Sequence, residues 1–255
     1  MDSLRRRISK TLWTKAENTV QFMQDSPPAA ILTLIIICGV FIIVLSLILF
    51  GYLGDTVLDK QRVFFDDSIT SFVMSFRSPL MTGVMTFITD IGSYGLAIGS
   101  TVILFYLFYK RHGKEGILFC IIVLMGYVIN VLLKLFVQRN RPTVSPLQTL
   151  TDYSFPSSHS MASFIFFATI AYFAYHFTKD KKLSIIIAII CFLLIFLIGI
   201  SRIYLGVHYP SDVLGGYLAG ILWYAIIIVL DRTIILYKLF REYKRNAYDN
   251  GEDIL

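Results

Sequence analysis

The strongest constraint on this chain is a series of long apolar runs, the first from Ala29 to Leu53. A helix needs about 20 apolar residues to cross a bilayer, and a lipid-embedded segment must satisfy its backbone polar groups internally. Further runs at Tyr94 to Tyr109, Ile117 to Val137, Ser157 to Phe177, Leu183 to Ile200 and Val213 to Leu230 give six predicted spans. The Tyr94 run is short unless it begins earlier. The chain is 56% hydrophobic, against about 45–50% for a soluble domain, and the excess lies in these runs. The expected fold is all-α: a six-transmembrane-helix bundle with one or two interfacial helices in the first outer loop. Residues 1–28 read as a basic N-terminal segment, 29–231 as the membrane-embedded domain and 232–255 as a charged tail.

The polar flanks set the expected orientation. Six spans put both termini on one side. That side carries sixteen Lys and Arg, in the N-terminal segment, the tight turns around Lys110 and Lys181, and the tail. The other carries seven: Lys60, Arg62, Arg77, Lys134, Arg139, Arg141 and Arg202. The positive-inside rule makes the richer side cytoplasmic. The same rule accounts for the net charge of +6, and with no soluble basic domain, nucleic-acid binding is not expected. Leu4, Ile8, Leu12 and Trp13 suggest an amphipathic surface helix. The first apolar run is too long for a signal-peptide core and no A-x-A site follows, so it reads as uncleaved. Between Gly54 and Ser93 the spacing predicts short helices broken at Ser78-Pro79 and again at Gly92. Such a segment either guides a lipid or packs against its neighbours. Cys38, Cys120 and Cys191 all lie in apolar runs and read as small packed hydrophobes. Gly215, Gly216 and Gly220 allow close helix approach, within one chain or between copies.

Three polar clusters fall at span ends on the outer side. Ser201 to Asp212 reads S-R-I-Y-L-G-V-H-Y-P-S-D. His208 has the chemistry of a nucleophile or proton carrier, and Asp212 that of a partner holding one ring nitrogen. Pro210 suits the first turn of a following helix, which would bring Asp212 to a favoured N-terminal position. The bland reading is an interfacial Arg beside a satisfied His. The second cluster, K-L-F-V-Q-R-N-R-P from Lys134 to Pro142, places two cations, Lys134 and Arg141, beside an apolar medium, where they call for an anion. Lys134 taken alone reads first as a snorkelling side chain, and Arg139 reads as a surface charge. The third, F-P-S-S-H-S from Phe155 to Ser160, puts Pro156 at a helix start. That would leave the N–H groups of Ser157, Ser158 and His159 for an anion. His159 is then placed to protonate a leaving oxygen; the alternative is an ordinary cap with an incidental His. Cations, imidazoles and a helix N-terminus on one side describe a phosphoryl site. No His/Cys/carboxylate set has zinc-ligand spacing, and no metal or other cofactor is expected.

Together K-x6-R-P, P-S-S-H (for P-S-G-H) and S-R-x5-H-x3-D resemble the type 2 phosphatidic acid phosphatase superfamily of integral membrane lipid phosphatases. The resemblance implies His208 as the nucleophile forming a phosphohistidine, Asp212 as its orienting partner, and His159 as acid and then base. It implies Lys134, Arg141, Ser157, Ser158 and Arg202 as the phosphate clamp, with Ser201 capping or positioning, and no metal. Ser158 departs from the motif glycine. The implied substrate is a lipid phosphate or pyrophosphate, such as undecaprenyl pyrophosphate or phosphatidylglycerol phosphate. It would be hydrolysed at the extracytoplasmic face of the plasma membrane. Vanadium haloperoxidases share the motifs but are soluble. A lipid- or anion-binding transporter is the non-enzymatic alternative; it needs the charge but no nucleophile held by a carboxylate.

Overall fold

The computed structural model describes residues 22, 26–59 and 63–249, with side chains to 246. The expected surface helix before Ala29 therefore lies almost wholly outside the described residues. The described chain forms α1 (Pro27–Leu58), α2 (Asp66–Met74), α3 (Pro79–Asp90), a π turn (Ile91–Gly95), α4 (Leu96–Tyr109), α5 (Gly113–Val137), α6 (Ser158–Phe177), α7 (Lys181–Tyr204) and α8 (Pro210–Asp249). Six stretches are long and apolar enough to cross a membrane: α1, α3 through α4 as one 31-residue span, α5, α6, α7 and Pro210–Asn246 of α8. The all-α, six-span architecture agrees with the sequence.

Span ends differ from the sequence reading in physically informative ways. Ser78 caps α3, accepting the Met81 N–H, and Pro79 follows as its first residue, so the break there is as expected. The break expected at Gly92 does not occur. The chain instead makes a single π turn and continues as α4. A true break in lipid would leave backbone groups without partners, whereas a π turn keeps them bonded. α7 carries Ser201 and Arg202 on its last turn, beyond the predicted end at Ile200. α8 runs on past Leu230 to Asp249.

By compactness the chain divides into two units, Met1–Ile43 with Ala225–Leu255, and Val44–Tyr224. In the first, Gly39 of α1 lies against Val229 of α8, and Phe22 packs edge-on to Phe240. In the second, Leu96, Leu107, Phe119, Phe166, Phe167, Cys191 and Ile198 from α4 to α7 form the main apolar core. A second core joins Leu53, Val57, Val63, Phe155 and Leu218. Gly216 lets α8 approach the start of α6, because a Cβ there would meet the Ser157 carbonyl and Ser160. Large side chains such as Ile31, Phe41, Ile48, Phe105 and Phe192 remain exposed, as expected where the surrounding medium is lipid.

The segment between α1 and α3 packs rather than standing apart. Arg77, between α2 and α3, donates from Nε (3.0 Å) and Nη2 (2.7 Å) to the Tyr204 carbonyl, and from Nη1 to the Ser145 carbonyl. Tyr204 Oη in turn accepts the Ser78 N–H. Gly206, at φ +73°, turns the chain from α7 toward α8, a conformation that strains any residue with a Cβ.

Candidate active site

The site lies wholly within the Val44–Tyr224 unit, where the ends of α5, α6 and α7 meet the start of α8. α8 begins at Pro210, with Asp212 in its first turn. This places Asp212 four residues from His208, which sits in the connecting turn. His208 is 2% exposed and Asp212 is fully buried. His208 Nδ1 faces Asp212 Oδ2 at 3.4 Å and Ser154 Oγ at 3.4 Å. Its Nε2 faces Arg141 Nη1 at 3.1 Å. A guanidinium can only donate, so Nε2 presents its lone pair and the ring proton belongs on Nδ1. Burial lowers the His208 pKa, and the Arg141 and Arg202 charges add to that against the pull of Asp212. The result is about 4, so the ring is neutral at physiological pH.

Asp212 is held from several directions. Oδ2 accepts from Ser154 Oγ (2.5 Å) and the Tyr209 N–H (2.8 Å), and Oδ1 accepts from Arg139 Nη1 (2.6 Å). Arg139 also donates to Ser211 Oγ and, from Nη2, to Asp66 Oδ2 at 2.9 Å. Asp66 opens α2 and is fully buried. It further accepts the Ser211 N–H (2.8 Å) and hydroxyl (2.7 Å). The Arg139 guanidinium stacks on the Tyr209 ring at 4.2 Å. Burial alone would weaken its charge, but Asp212 and Asp66 raise its pKa above the usual range. The surface role expected for Arg139 is therefore wrong: its side chain is 11% exposed and bridges two buried carboxylates. Its spacing from Arg141 gives no hint of this, because both carboxylates lie 73 residues away in sequence.

On the opposite side of the ring, Lys134 and Arg141 converge on one carboxylate. Lys134 Nζ meets Asp152 Oδ2 and the Tyr153 carbonyl, each at 2.5 Å. Arg141 Nη2 meets Asp152 Oδ1 at 2.7 Å. Lys134 is 6% exposed, so it is buried in an ion pair and does not snorkel. Burial would raise the Asp152 carboxyl, but Lys134 and Arg141 bring it down to about 2.

Arg202 is 2% exposed and donates to Thr89 Oγ1 at 2.6 Å. Its Nε is buried with no partner among the described residues. The charges acting on it include Arg141 and Asp152, which ties it to the same cradle. A buried guanidinium N–H without an acceptor is costly, and a bound anion would satisfy it.

At the start of α6, Ser157 is the cap residue rather than a free donor. Its N–H goes to the Asp212 carbonyl (3.0 Å), and its Oγ accepts from Ser160. Pro156 precedes this cap. The N–H groups of Ser158 and His159, the first two residues of the helix, meet no acceptor among the described residues. Ser158 Oγ donates to Asn130 Oδ1 on α5 at 2.6 Å. Ser201 turns its hydroxyl onto the Ile198 carbonyl of its own helix. His159 lies against Gly92 of the π turn and within the field of Arg202, Lys134 and Arg141. It also lines an apolar cavity of about 420 Å³ with Ser158, Asn130, Leu96, Ile165 and Phe166. The structure thus brings His208, Asp212, Lys134, Arg141 and Arg202 into one constellation, with His159 within its field. Asp66, Asp152, Ser154, Ser211, Thr89 and Asn130, which no motif singles out, complete it.

Residues 115–235 match the model of the PAP2 superfamily. The phosphatidylglycerophosphatase B of Bacillus subtilis (strain 168) is 35% identical over 69% of this chain and 87% of its own length. An undecaprenyl-diphosphatase of Sulfolobus acidocaldarius is 29% identical over 63% of this chain and 76% of its own. The crystal structure of the transmembrane PAP2-type phosphatidylglycerolphosphate phosphatase from Bacillus subtilis superposes with a TM-score of 0.68. It is 31% identical, covering 75% of this chain and 96% of that one.

Proposed function

The chain belongs to the PAP2 superfamily of membrane phosphatases, and on that premise we propose that it removes the terminal phosphate of a lipid phosphate or pyrophosphate through a phosphohistidine at His208. The observation that carries this reading is the His208 ring, with Nδ1 on the Asp212 side and the Nε2 lone pair facing the cationic cradle. In the first step Nε2 attacks phosphorus, the bond to the lipid oxygen breaks, and that oxygen takes a proton from His159. In the second, His159 takes a proton from water, whose oxygen attacks phosphorus as the P–N bond breaks. Lys134, Arg141, Arg202 and the Ser158 and His159 N–H groups neutralise the equatorial oxygens, whose charge a loose phosphoryl transition state concentrates. Asp212 holds the reactive tautomer, since its other acceptor positions are taken by Ser154, Tyr209 and Arg139. The apolar cavity beside His159 is suited to part of the lipid leaving group. The Lys and Arg bias supports cytoplasmic termini and an extracytoplasmic site.

The test is phosphate release by purified protein in detergent with EDTA, from phosphatidylglycerol phosphate, undecaprenyl pyrophosphate and phosphatidic acid. Wild type releases phosphate and folded His208→Ala loses at least about a thousandfold, the scale seen when a catalytic nucleophile is removed. Retained release by His208→Ala removes the covalent mechanism, and no release by folded wild type removes the function. A Thr149→Cys variant labelled by an impermeant maleimide in intact cells tests sidedness; protection there reverses it.

A further inference from the structure

We propose that the Asp152 carboxylate is a built-in occupant of the phosphate cradle, which substrate phosphate displaces and which returns to help expel the product. This rests on the phosphatase reading of the site. Each carboxylate oxygen takes one cation, Oδ2 at 2.5 Å from Lys134 Nζ and Oδ1 at 2.7 Å from Arg141 Nη2. Two oxygens of a phosphate would do the same. The occupation is complete on the Arg141 side. Its Nε goes to the Asp152 carbonyl, Nη1 to the Val207 carbonyl and His208 Nε2, and Nη2 to Asp152 Oδ1 and the Tyr153 carbonyl. A guanidinium has five N–H donors in total, and all five are used. A phosphate oxygen reaches Arg141 only by taking a place now filled: His208 Nε2 gives up Nη1 when it turns to phosphorus, and Asp152 Oδ1 is the carboxylate oxygen free to leave Nη2.

Its freedom separates it from the other carboxylates of the site. The Asp152 side chain is 55% exposed, whereas those of Asp66 and Asp212 are fully buried. It belongs to the irregular connection between α5 and α6. Turning outward returns it to water at little desolvation cost, while either buried carboxylate would have to break a network. Asp152 also stays ionised at any physiological pH, so the cradle is vacated by exchange of one anion for another and not by protonation. The charges agree with exchange. Lys134, Arg141 and Arg202 supply three positive charges and Asp152 removes one, so a phosphate dianion is attracted where the carboxylate sat. An internal competitor weakens every anion by the same factor. For an enzyme with three cations around its product, that weakening opposes trapping of inorganic phosphate.

The sign of the effect distinguishes this role from that of a tie holding Lys134 and Arg141 in place. The experiment compares wild type with Asp152→Asn, Asp152→Ala and Asp152→Glu as full-length protein in detergent. Inorganic phosphate affinity is read from the shift in Tm with phosphate concentration, which needs no turnover. Orthovanadate inhibition and KM are read on phosphatidylglycerol phosphate. Asp152→Asn and Asp152→Ala are expected to bind phosphate and vanadate about tenfold more tightly, the scale of a charge-assisted bidentate contact. KM should fall with them, and Asp152→Glu should return toward wild type. Unchanged or weaker binding in Asn and Ala variants overturns the proposal. So does a Glu variant that behaves like Asn, or failure of all three to fold, since each makes Asp152 a structural tie. If wild type hydrolyses no lipid phosphate, the proposed function falls, while the phosphate-dependent Tm still decides the role of Asp152.

Discussion

Two ionic clusters flank the His208 ring and they are built on opposite terms. Behind it, Asp66, Arg139, Ser154, Ser211 and Asp212 form a buried network in which each charge has a fixed partner. In front of it, Lys134, Arg141 and Arg202 face a half-exposed Asp152, and Arg202 Nε is left without an acceptor among the described residues. On the proposed mechanism the rear cluster orients and the front cluster exchanges. A fully satisfied buried network gains from low dielectric and resists rearrangement, whereas an incompletely satisfied one stores the affinity that a ligand releases.

The sharpest way to break this contrast is to remove the rear cation. Arg139→Met leaves Asp66 and Asp212 facing each other without compensation. Breaking a buried pair in this way costs about 3–5 kcal/mol. The expected result is a fall in Tm of about 10 °C in detergent, with phosphate release lost alongside it. A variant that keeps its Tm would show the rear network to be dispensable for the fold.

The matching change in front is Arg202→Met, and the expected result is inverted. The variant removes a buried, partly unpartnered cation, so Tm holds or rises. Loss of one charged donor to the transferred group lowers kcat/KM by about 10²–10³. Comparing Tm and kcat/KM for the two variants separates scaffold from clamp. A parallel loss of both quantities in Arg202→Met would erase the distinction.

The same split explains what the sequence could and could not reveal. The six spans are legible because a run of apolar residues long enough to cross a bilayer has few other uses. His208 and Asp212 are legible because they lie four residues apart at the start of a helix that Pro210 announces. Lys134 and Arg141 are legible by motif spacing. Arg139 is not: it gains its meaning from Asp66, brought by α2 from a distant segment. Asp152 is hidden for the opposite reason, since an exposed loop carboxylate has no pattern at all until two cations close on it. The true end of α7 escaped because the helix continues through Ser201 and Arg202, and the partner that takes the Arg202 charge, Thr89, is tertiary; α8 continues through Asp231 and Arg232, which pair with each other.

A smaller effect tests the boundary between the clusters, the imidazole itself. Burial and the front cations lower the His208 pKa to about 4, from about 6.5 in an unfolded chain. On lowering pH from 6.5 toward 4 the unfolded chain takes up this proton and the folded protein does not. The contribution of His208 therefore makes the fold less stable across that window and levels off below it. Wild type should lose Tm more steeply than His208→Gln between pH 6.5 and 4. The Asp152 contribution lies lower: present above about pH 3.8, it is lost as pH falls through about 2. Equal slopes for wild type and His208→Gln would place the ring in contact with water and remove the contrast between its two sides.

The smallest expected effect concerns Ser158, which stands where the motif has glycine and belongs to neither cluster. Its Oγ donates to Asn130 Oδ1, and among the described residues Asn130 otherwise has longer contacts through Nδ2, to the Pro156 carbonyl (3.4 Å) and Met161 Sδ (3.6 Å). Ser158→Gly removes that hydrogen bond and leaves a buried amide oxygen to find another donor, a loss of about 1 kcal/mol. The Ser158 backbone N–H, which is the group proposed to meet phosphate, is unchanged. Tm should therefore fall by a few degrees and kcat/KM by less than about threefold. The hydroxyl tethers the start of α6 to α5, so the His159 ring keeps its place through the cap at Ser157. A loss of a hundredfold in kcat/KM with Tm preserved would show that the Ser158 hydroxyl reaches the substrate. The front cluster would then extend to α5, with Asn130 as its far wall.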